Sequence, residues 1–238
     1  MTFATPRNIS DRAERFVDSV LRLNPRVAVF DCDGTFWEGD AGADFFYWEI
    51  EQGLIPEDVA RWALPRYDDY KAGKVGEETM CGEMVTIHAG IGEEEIFAAA
   101  RRFFETVVAR RIFPEMQHLT HRLAGNGCQL WAVSSTNEWV IRASASQFDV
   151  PADRILAACV AIENGRATGR LIRVPTDEGK ATVVRELIGA SVDAAFGNSV
   201  HDAAMLVLAR HGFAINPNPD FEPLAARSGW TVYRPDPL

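Results

Sequence analysis

The sequence predicts an α/β protein: a doubly wound, mostly parallel sheet with an all-helical cap domain inserted after the first strand. Three observations point there. Short apolar runs of strand length alternate with helix-period segments toward both ends of the chain, the pattern of a parallel sheet covered by helices on both faces. Between the first two such runs lies a long stretch of helical pattern with no strand signal. The runs also stop at polar clusters, and in open α/β sheets ligands lie beyond the carboxyl ends of the strands.

In chain order, Ser10 opens a helix-start pattern, with Glu14 nearby and Phe16, Val17, Val20 and Leu21 on one face; Asn24-Pro25 ends it. Val27-Ala28-Val29-Phe30 is a run of buried-strand type, halted at Asp31-Cys32-Asp33-Gly34-Thr35. Helical segments follow over 43–52, 56–73, 76–90 and 92–111, separated by glycine or proline, with a break expected at Pro65. This block, residues 40–112, is the expected cap; residues 1–39 and 113–238 are the expected core.

After Pro114 the alternation resumes. Residues 129–133 read as a buried strand ending in Ser134-Ser135-Thr136-Asn137, with a helix to about Phe148. Residues 155–162 and 168–174, around Asn164-Gly165, read as a β-hairpin. A helix over 178–187, a strand over 192–196 and a helix from Gly197-Asn198-Ser199 through Arg210 come next. Short strands at 213–215 and 231–233 complete the set.

Of the 238 residues 47% are hydrophobic and 24% are charged, a globular composition that excludes a disordered chain. The formal net charge of −10 argues against nucleic-acid binding, which needs a basic face. A phosphate site on so acidic a chain must gather positive potential locally, from a metal ion, a lysine or oriented N–H groups. Cys32, Cys81, Cys128 and Cys159 have neither CxxC nor metal-type spacing and read as reduced thiols. With no apolar leader and no long apolar run, the expected location is cytoplasmic and away from the membrane.

The chemistry gathers at the strand ends. A spacing of two places the carboxylates of Asp31 and Asp33 on one side if the strand continues past Phe30. Two such carboxylates repel unless a cation lies beside them, and Mg²⁺ takes one or two carboxylates plus substrate phosphate. Asp31 is thus a candidate for both metal ligand and nucleophile toward phosphorus, and Asp33 for the acid that protonates the leaving group and then activates water. Gly34 would let backbone N–H groups approach a phosphate. Taken alone, the same residues also describe a turn closing a strand. Ser134 and the N–H of Ser135 could bind a phosphoryl oxygen at a helix start, or Ser134 could simply cap the helix. Lys180 occupies a first helical turn, where a cation opposes the macrodipole, which hints at a local anion beside an otherwise ordinary surface lysine. Asn198 and Asp202, four apart, share a face and could ligate or orient a metal, or cap the helix.

The ordered set resembles the haloacid dehalogenase-like superfamily, over essentially the whole chain. Its first motif is matched by Asp31 to Thr35, its second by Ser134, its third by Lys180 and its fourth by Gly197 to Asp202. The likeness is greatest to the phosphoserine phosphatase-like branch, with its helical cap between the first and second motifs. The resemblance implies a Rossmann-like core and a Mg²⁺-dependent phosphatase for a small-molecule phosphate monoester. It implies Asp31 as nucleophile, Asp33 as general acid/base, and Gly34, Thr35, Ser134, Ser135 and Lys180 around the phosphate. Mg²⁺ would be held by Asp31, the backbone carbonyl of Asp33 and Asn198, with Asp202 in support. The family usually has aspartate where Asn198 stands, so one negative charge is missing. A phosphotransferase, or a weakened module that binds a phosphorylated ligand, are the alternatives.

Asp40 occupies the place of a glutamate that binds the substrate amine in phosphoserine phosphatases, which suggests a cationic substrate group; it also suits a helix N-cap. Phe36, Trp37, Phe45, Phe46, Tyr47, Trp48, Trp62, Tyr67 and Tyr70 supply aromatic faces for an ammonium group or a cap core. Arg61, Arg66, Arg101 and Arg102 could bind a substrate carboxylate or stay solvated.

Overall fold

The apolar runs become strands of one sheet: β1 (Val27–Phe30), β2 (Gln129–Asn137), β3 (Ile155–Glu163), β4 (Arg166–Arg173), β5 (Ala194–Gly197), β6 (His211–Ile215) and β7 (Thr231–Tyr233). The computed structural model describes residues 9–189 and 191–238. The N-terminal stretch expected to hold no apolar leader therefore lies partly outside the described residues, at positions 1–8. The strand order is β4-β3-β2-β1-β5-β6-β7. All neighbours are parallel except the β3–β4 hairpin, which turns at Asn164 and Gly165, both at positive φ as a two-residue hairpin requires.

Successive strand residues face opposite layers, and the two layers have separate cores. Ala28, Phe30, Leu130, Ala132, Ala194 and Phe196 point to one side. Val27, Val29, Val133 and Ala195 point to the other. The helices are α1 (Asp11–Leu21), α2 (Ala41–Glu51), α3 (Glu57–Lys71), α4 (Glu77–Thr86), α5 (Glu93–Phe103), α6 (Pro114–Gly125), α7 (Glu138–Ala145), α8 (Glu178–Leu187), α9 (Ala203–Leu208) and α10 (Glu222–Ser228). Side chains of α1, α6 and α7 fill the first core, and those of α8, α9 and α10 the second. The chain winds outward from β1 through β2 and β3, then returns to lay β5 on the other side of β1. The carboxyl end of β1 is thus the switch point, where a crevice opens.

Helices α2 to α5 lie between β1 and β2; α2, α3 and α4 gather a small core of their own around Phe46, Ile55, Ala63, Tyr67, Met80 and Ile87, while Ile96, Ala99, Ala100 and Phe103 of α5 join the first core. The stretches entering and leaving this block pair with each other, Glu38 N donating to Arg111 O at 2.9 Å and Phe113 N to Phe36 O at 3.0 Å. Pro65 does not break α3. Ala60, Ala63 and Tyr67 are buried around it, and their packing outweighs the one backbone hydrogen bond that proline removes. The segment over 92–111 is not one helix: α5 passes into a π-helical turn over Phe104–Val108 and a 3-10 turn over Ala109–Arg111. Two helices, α6 and α10, lie in segments where the sequence offered no separate pattern.

Far from these connecting stretches, a polar clamp ties the helical block to the core. Glu77, at the start of α4, accepts from Thr176 Oγ1 at 2.8 Å and pairs with His201 Nε2 at 2.7 Å. His201 Nδ1 meets Asp177 Oδ1 at 2.7 Å. The hydrogen bond to Glu77 is the largest influence on His201, whose pKa is raised from 6.5 to about 9. A histidine raised in the folded state stabilises fully below its unfolded pKa and loses that contribution as pH rises through the folded one. The stability advantage of the native chain over His201→Gln, measured by chemical denaturation, should therefore be full below pH 6.5 and fade as pH passes about 9. In the sheet, Phe196 is fully buried and stacks on Phe30 at 4.3 Å and Phe213 at 4.6 Å. Phe196→Ala should cost about 3–5 kcal/mol in the same measurement.

Candidate active site

β1 delivers Asp31 to the switch point. Its backbone N–H donates to Phe196 O at 2.9 Å, so pairing with β5 continues one residue past the strand. The chain then turns tightly, with Thr35 N and Phe36 N both donating to Cys32 O, at 3.1 and 2.8 Å. Gly34 sits at φ +70°, and a Cβ there would lie 1.9 Å from Asn198 Nδ2. Only glycine meets both conditions, so the first and fourth polar clusters touch through this residue. The Asp31 carboxylate is held at both oxygens: Oδ1 by Lys180 Nζ at 2.7 Å, Oδ2 by Thr35 Oγ1 at 3.1 Å.

Lys180 is no surface lysine; it is 2% exposed. Its ammonium also reaches Asp202 Oδ1 at 2.5 Å. Burial works against the ammonium, but the carboxylates of Asp202 and Asp31 outweigh it and raise its pKa. Asp202 is fully buried, and its other oxygen accepts from the N–H groups of Asn198 and Ser199 at 2.8 and 3.0 Å. Both of its oxygens are engaged, so it anchors Lys180 and the Asn198 loop from below. Burial, and next the charge of Asp202, push the pKa of Asp31 up to about 7.

The second polar cluster is arranged differently from a strand-then-helix reading. β2 does not stop at Val133 but runs to Asn137, which caps α7 by accepting from Val140 N at 3.0 Å. Ser134 pairs with Ala157 and Asn137 with Ala158, so β2 carries two extra residues opposite a single step of β3. That bulge turns Ser135 and Thr136 into the crevice. Ser134 itself is buried, its Oγ accepting from Thr136 N at 3.1 Å. Thr136 Oγ1 in turn donates to Asp33 Oδ2 at 2.6 Å. Asp33 Oδ1 accepts from Trp37 Nε1 at 2.8 Å and from Ala41 N at 2.6 Å. Burial raises the pKa of Asp33 above the ordinary aspartate value, against the pull of these donors. Thr136 carries no sequence signal of its own, because a bulge is set by strand pairing.

These groups open into one cavity of about 450 Å³. Asp31, Asp33, Gly34, Lys180 and Asn198 form its floor, while Asp40, Tyr67, Tyr70, Glu77 and Met84 come from the helical block. Asp40 caps α2, accepting from Ala43 N at 2.9 Å. Enclosure by neighbouring atoms, then the charge of Asp33, push its pKa upward, an effect that water moderates because the residue is exposed. Of the nine aromatic residues singled out from the sequence, Tyr67 and Tyr70 line the cavity; Phe36, Trp37, Phe45 and Phe46 are core. The four arginines lie elsewhere. Arg61 pairs with Glu57 and Arg66 with Glu83, while Arg101 and Arg102 lie over the rings of Phe97 and Trp48.

The described residues contain no cluster of three or more His, Cys, Asp or Glu side chains around one metal position. The oxygen donors available there are those of Asp31, Asp33 and Asn198, all of which line the cavity. That all-oxygen set with few charges matches a cation that draws on one or two carboxylates and a substrate phosphate.

A histidinol-phosphatase of Neisseria meningitidis serogroup C (strain 8013) is 26% identical over 220 residues, covering 87% of this chain and 97% of that protein. A protein of unknown function from Bordetella pertussis Tohama I superposes with a TM-score of 0.75 at 23% identity, over 87% of this chain and 97% of its own. A phosphoserine phosphatase held as a phospho-aspartyl intermediate analogue has a TM-score of 0.57 at 14% identity, over 87% of this chain and 91% of its own. The model of the haloacid dehalogenase-like hydrolases matches residues 28–207, from β1 through the clamp, the lysine and the fourth cluster into α9, and the chain belongs to that family.

Proposed function

We propose that this haloacid dehalogenase-like phosphatase hydrolyses small phosphate monoesters carrying a cationic amine or ammonium group, with Mg²⁺, through a phosphoaspartyl intermediate on Asp31. The observation that carries the reading is the placement of Asp31, Lys180 and Asp33 in one cavity, each with its orientation fixed by hydrogen bonds. Lys180 and the backbone N–H groups of the Gly34 turn bind phosphoryl oxygens. An Asp31 oxygen attacks phosphorus, the ester P–O bond breaks, and Asp33 gives its proton to the leaving oxygen. Asp33 then takes a proton from water, which attacks the phosphoaspartate and frees Asp31. Mg²⁺ held by Asp31, the Asp33 carbonyl and Asn198 would offset the repulsion between carboxylate and phosphate.

The substrate class follows from the outer half of the cavity. It presents the carboxylate of Asp40 and the rings of Tyr67 and Tyr70, with Glu77 paired to His201, and among the described residues no arginine lines it for a substrate carboxylate. Carboxylates with aromatic faces suit a cation. The residue-level likeness to a phosphoserine phosphatase thus stops at the amine. Histidinol phosphate, which bears an amine and an imidazole but no carboxylate, fits this lining, as do phosphoethanolamine and phosphocholine. The reading of a mere phospho-ligand-binding module draws on Asn198, and phosphate release separates the two.

With Mg²⁺ present, those three esters should be turned over at least about tenfold more efficiently than phosphoserine or glycerol phosphate, a difference of about 1.4 kcal/mol in transition-state binding. Asp40→Asn should remove most of the preference; equal turnover of charged and neutral esters in the native enzyme would overturn the cationic subsite. Asp31→Asn should release no phosphate and take up no beryllofluoride, and chelation of Mg²⁺ should stop turnover reversibly. Gly34→Ala, strained at φ +70° and driven into Asn198, should lower turnover at least about a hundredfold, read by the same phosphate-release assay.

A further inference from the structure

Asp33 has two oxygens with unlike partners. Oδ1 accepts from the indole N–H of Trp37 at 2.8 Å and the backbone N–H of Ala41 at 2.6 Å. Both are fixed donors, and neither can turn round to accept a proton. A proton placed on Oδ1 would face two N–H groups. Oδ2 meets a hydroxyl instead, Thr136 Oγ1 at 2.6 Å. A hydroxyl donates to a carboxylate and, after rotation, accepts from a carboxylic acid.

The hydroxyl is held there by more than chance packing. The β2 bulge places Thr136 in the crevice, and its N–H is tied to Ser134 Oγ at 3.1 Å. From the opposite side, a Cβ on residue 42 would lie 2.6 Å from Thr136 Oγ1, so Gly42 leaves the room that the hydroxyl occupies. We propose that Thr136 is a positioning residue for the general acid, keeping Asp33 Oδ2 as the oxygen that carries the proton toward the leaving group. In the transfer the Oδ2–H bond breaks as the ester oxygen gains its proton and loses phosphorus; the proton of Thr136 stays on Thr136. The inference rests on Asp33 being the general acid, as proposed above.

Dependence on the leaving group tests it. A poor leaving group such as an alkoxide needs the proton, whereas nitrophenolate leaves with little help. In the full-length, Mg²⁺-loaded enzyme, Thr136→Val should lower kcat for phosphoethanolamine about tenfold or more and for p-nitrophenyl phosphate less than about threefold. Thr136→Ser, which keeps the hydroxyl, should restore phosphoethanolamine turnover to within about threefold of the native rate, while retained nitrophenyl turnover shows that the valine variant is folded. Equal losses on both substrates, or a serine variant that behaves like valine, would overturn the role of Thr136. Asp33→Asn run alongside separates the two levels. If it too shows no leaving-group dependence, the general-acid reading falls; if it shows a strong one and Thr136→Val does not, only the role of Thr136 falls.

Discussion

The buried ammonium of Lys180, shared by Asp31 and Asp202, is the contact on which the rest of the site depends. One cation joins the end of β1, the start of α8 and the turn after β5. Three charges removed from water hold together only when their remaining hydrogen-bonding capacity is met. Here it is met: Thr35 serves the second oxygen of Asp31, and two backbone N–H groups serve the second oxygen of Asp202. The lysine sits where a helix dipole disfavours it, and the two carboxylates supply the compensation. Fixing Asp202 also fixes the Asn198 loop, because the N–H groups that bind it belong to that loop. The close approach of Asn198 to Gly34 then returns the constraint to the strand where it began.

A second constraint joins the helical block to this core. Asp33 is gripped by Ala41 N from the start of α2, by Trp37 from the connecting stretch, and by Thr136 from the bulge of β2. Its geometry therefore depends on both halves at once. The Glu77–His201–Asp177 clamp works at the other edge of the same cavity and sets how the block lies over the floor. A displacement of α2 would change the donors around Asp33, and one of α4 would change the partners of Glu77.

How much of this could be read from the residues differs by the range of the forces involved. β1, the hairpin and α8 were legible because alternation, Asn-Gly turn chemistry and helix signals act within a few residues. The company of Asp31, Lys180 and Asn198 was legible because each follows a strand or starts a helix, and an α/β sheet gathers those ends on one edge. Thr136 was not legible. Its place follows from a mismatch of register between β2 and β3, which no local pattern encodes. Asp202 looked like a partner for a metal, yet the burial that engages both its oxygens is a tertiary fact. Pro65 shows the converse: a local breaking signal is overridden by Ala63 and Tyr67 packing on the helix that contains it. The arginines were ambiguous in sequence, and their pairing with Glu57 and Glu83 removes them from the cavity.

The distribution of charge inside the cavity follows from these placements. With Asp202 neutralised by Lys180 and an amide at position 198, the floor holds less free negative charge than a site with aspartate there. The carboxylates of Asp31 and Asp33 still line that floor beside the buried lysine. Asp40, Glu77, Tyr67 and Tyr70 line the part of the cavity nearer the helical block, and His201, also in the lining, is paired with Glu77 and Asp177. On the proposed reading, Lys180 and a bound Mg²⁺ would meet the phosphate end of a substrate, and the Asp40 carboxylate with the rings of Tyr67 and Tyr70 its cationic end. A ligand with a phosphate at one end and a cation at the other would on that reading take one orientation, with its ester bond beside Asp31 and Asp33.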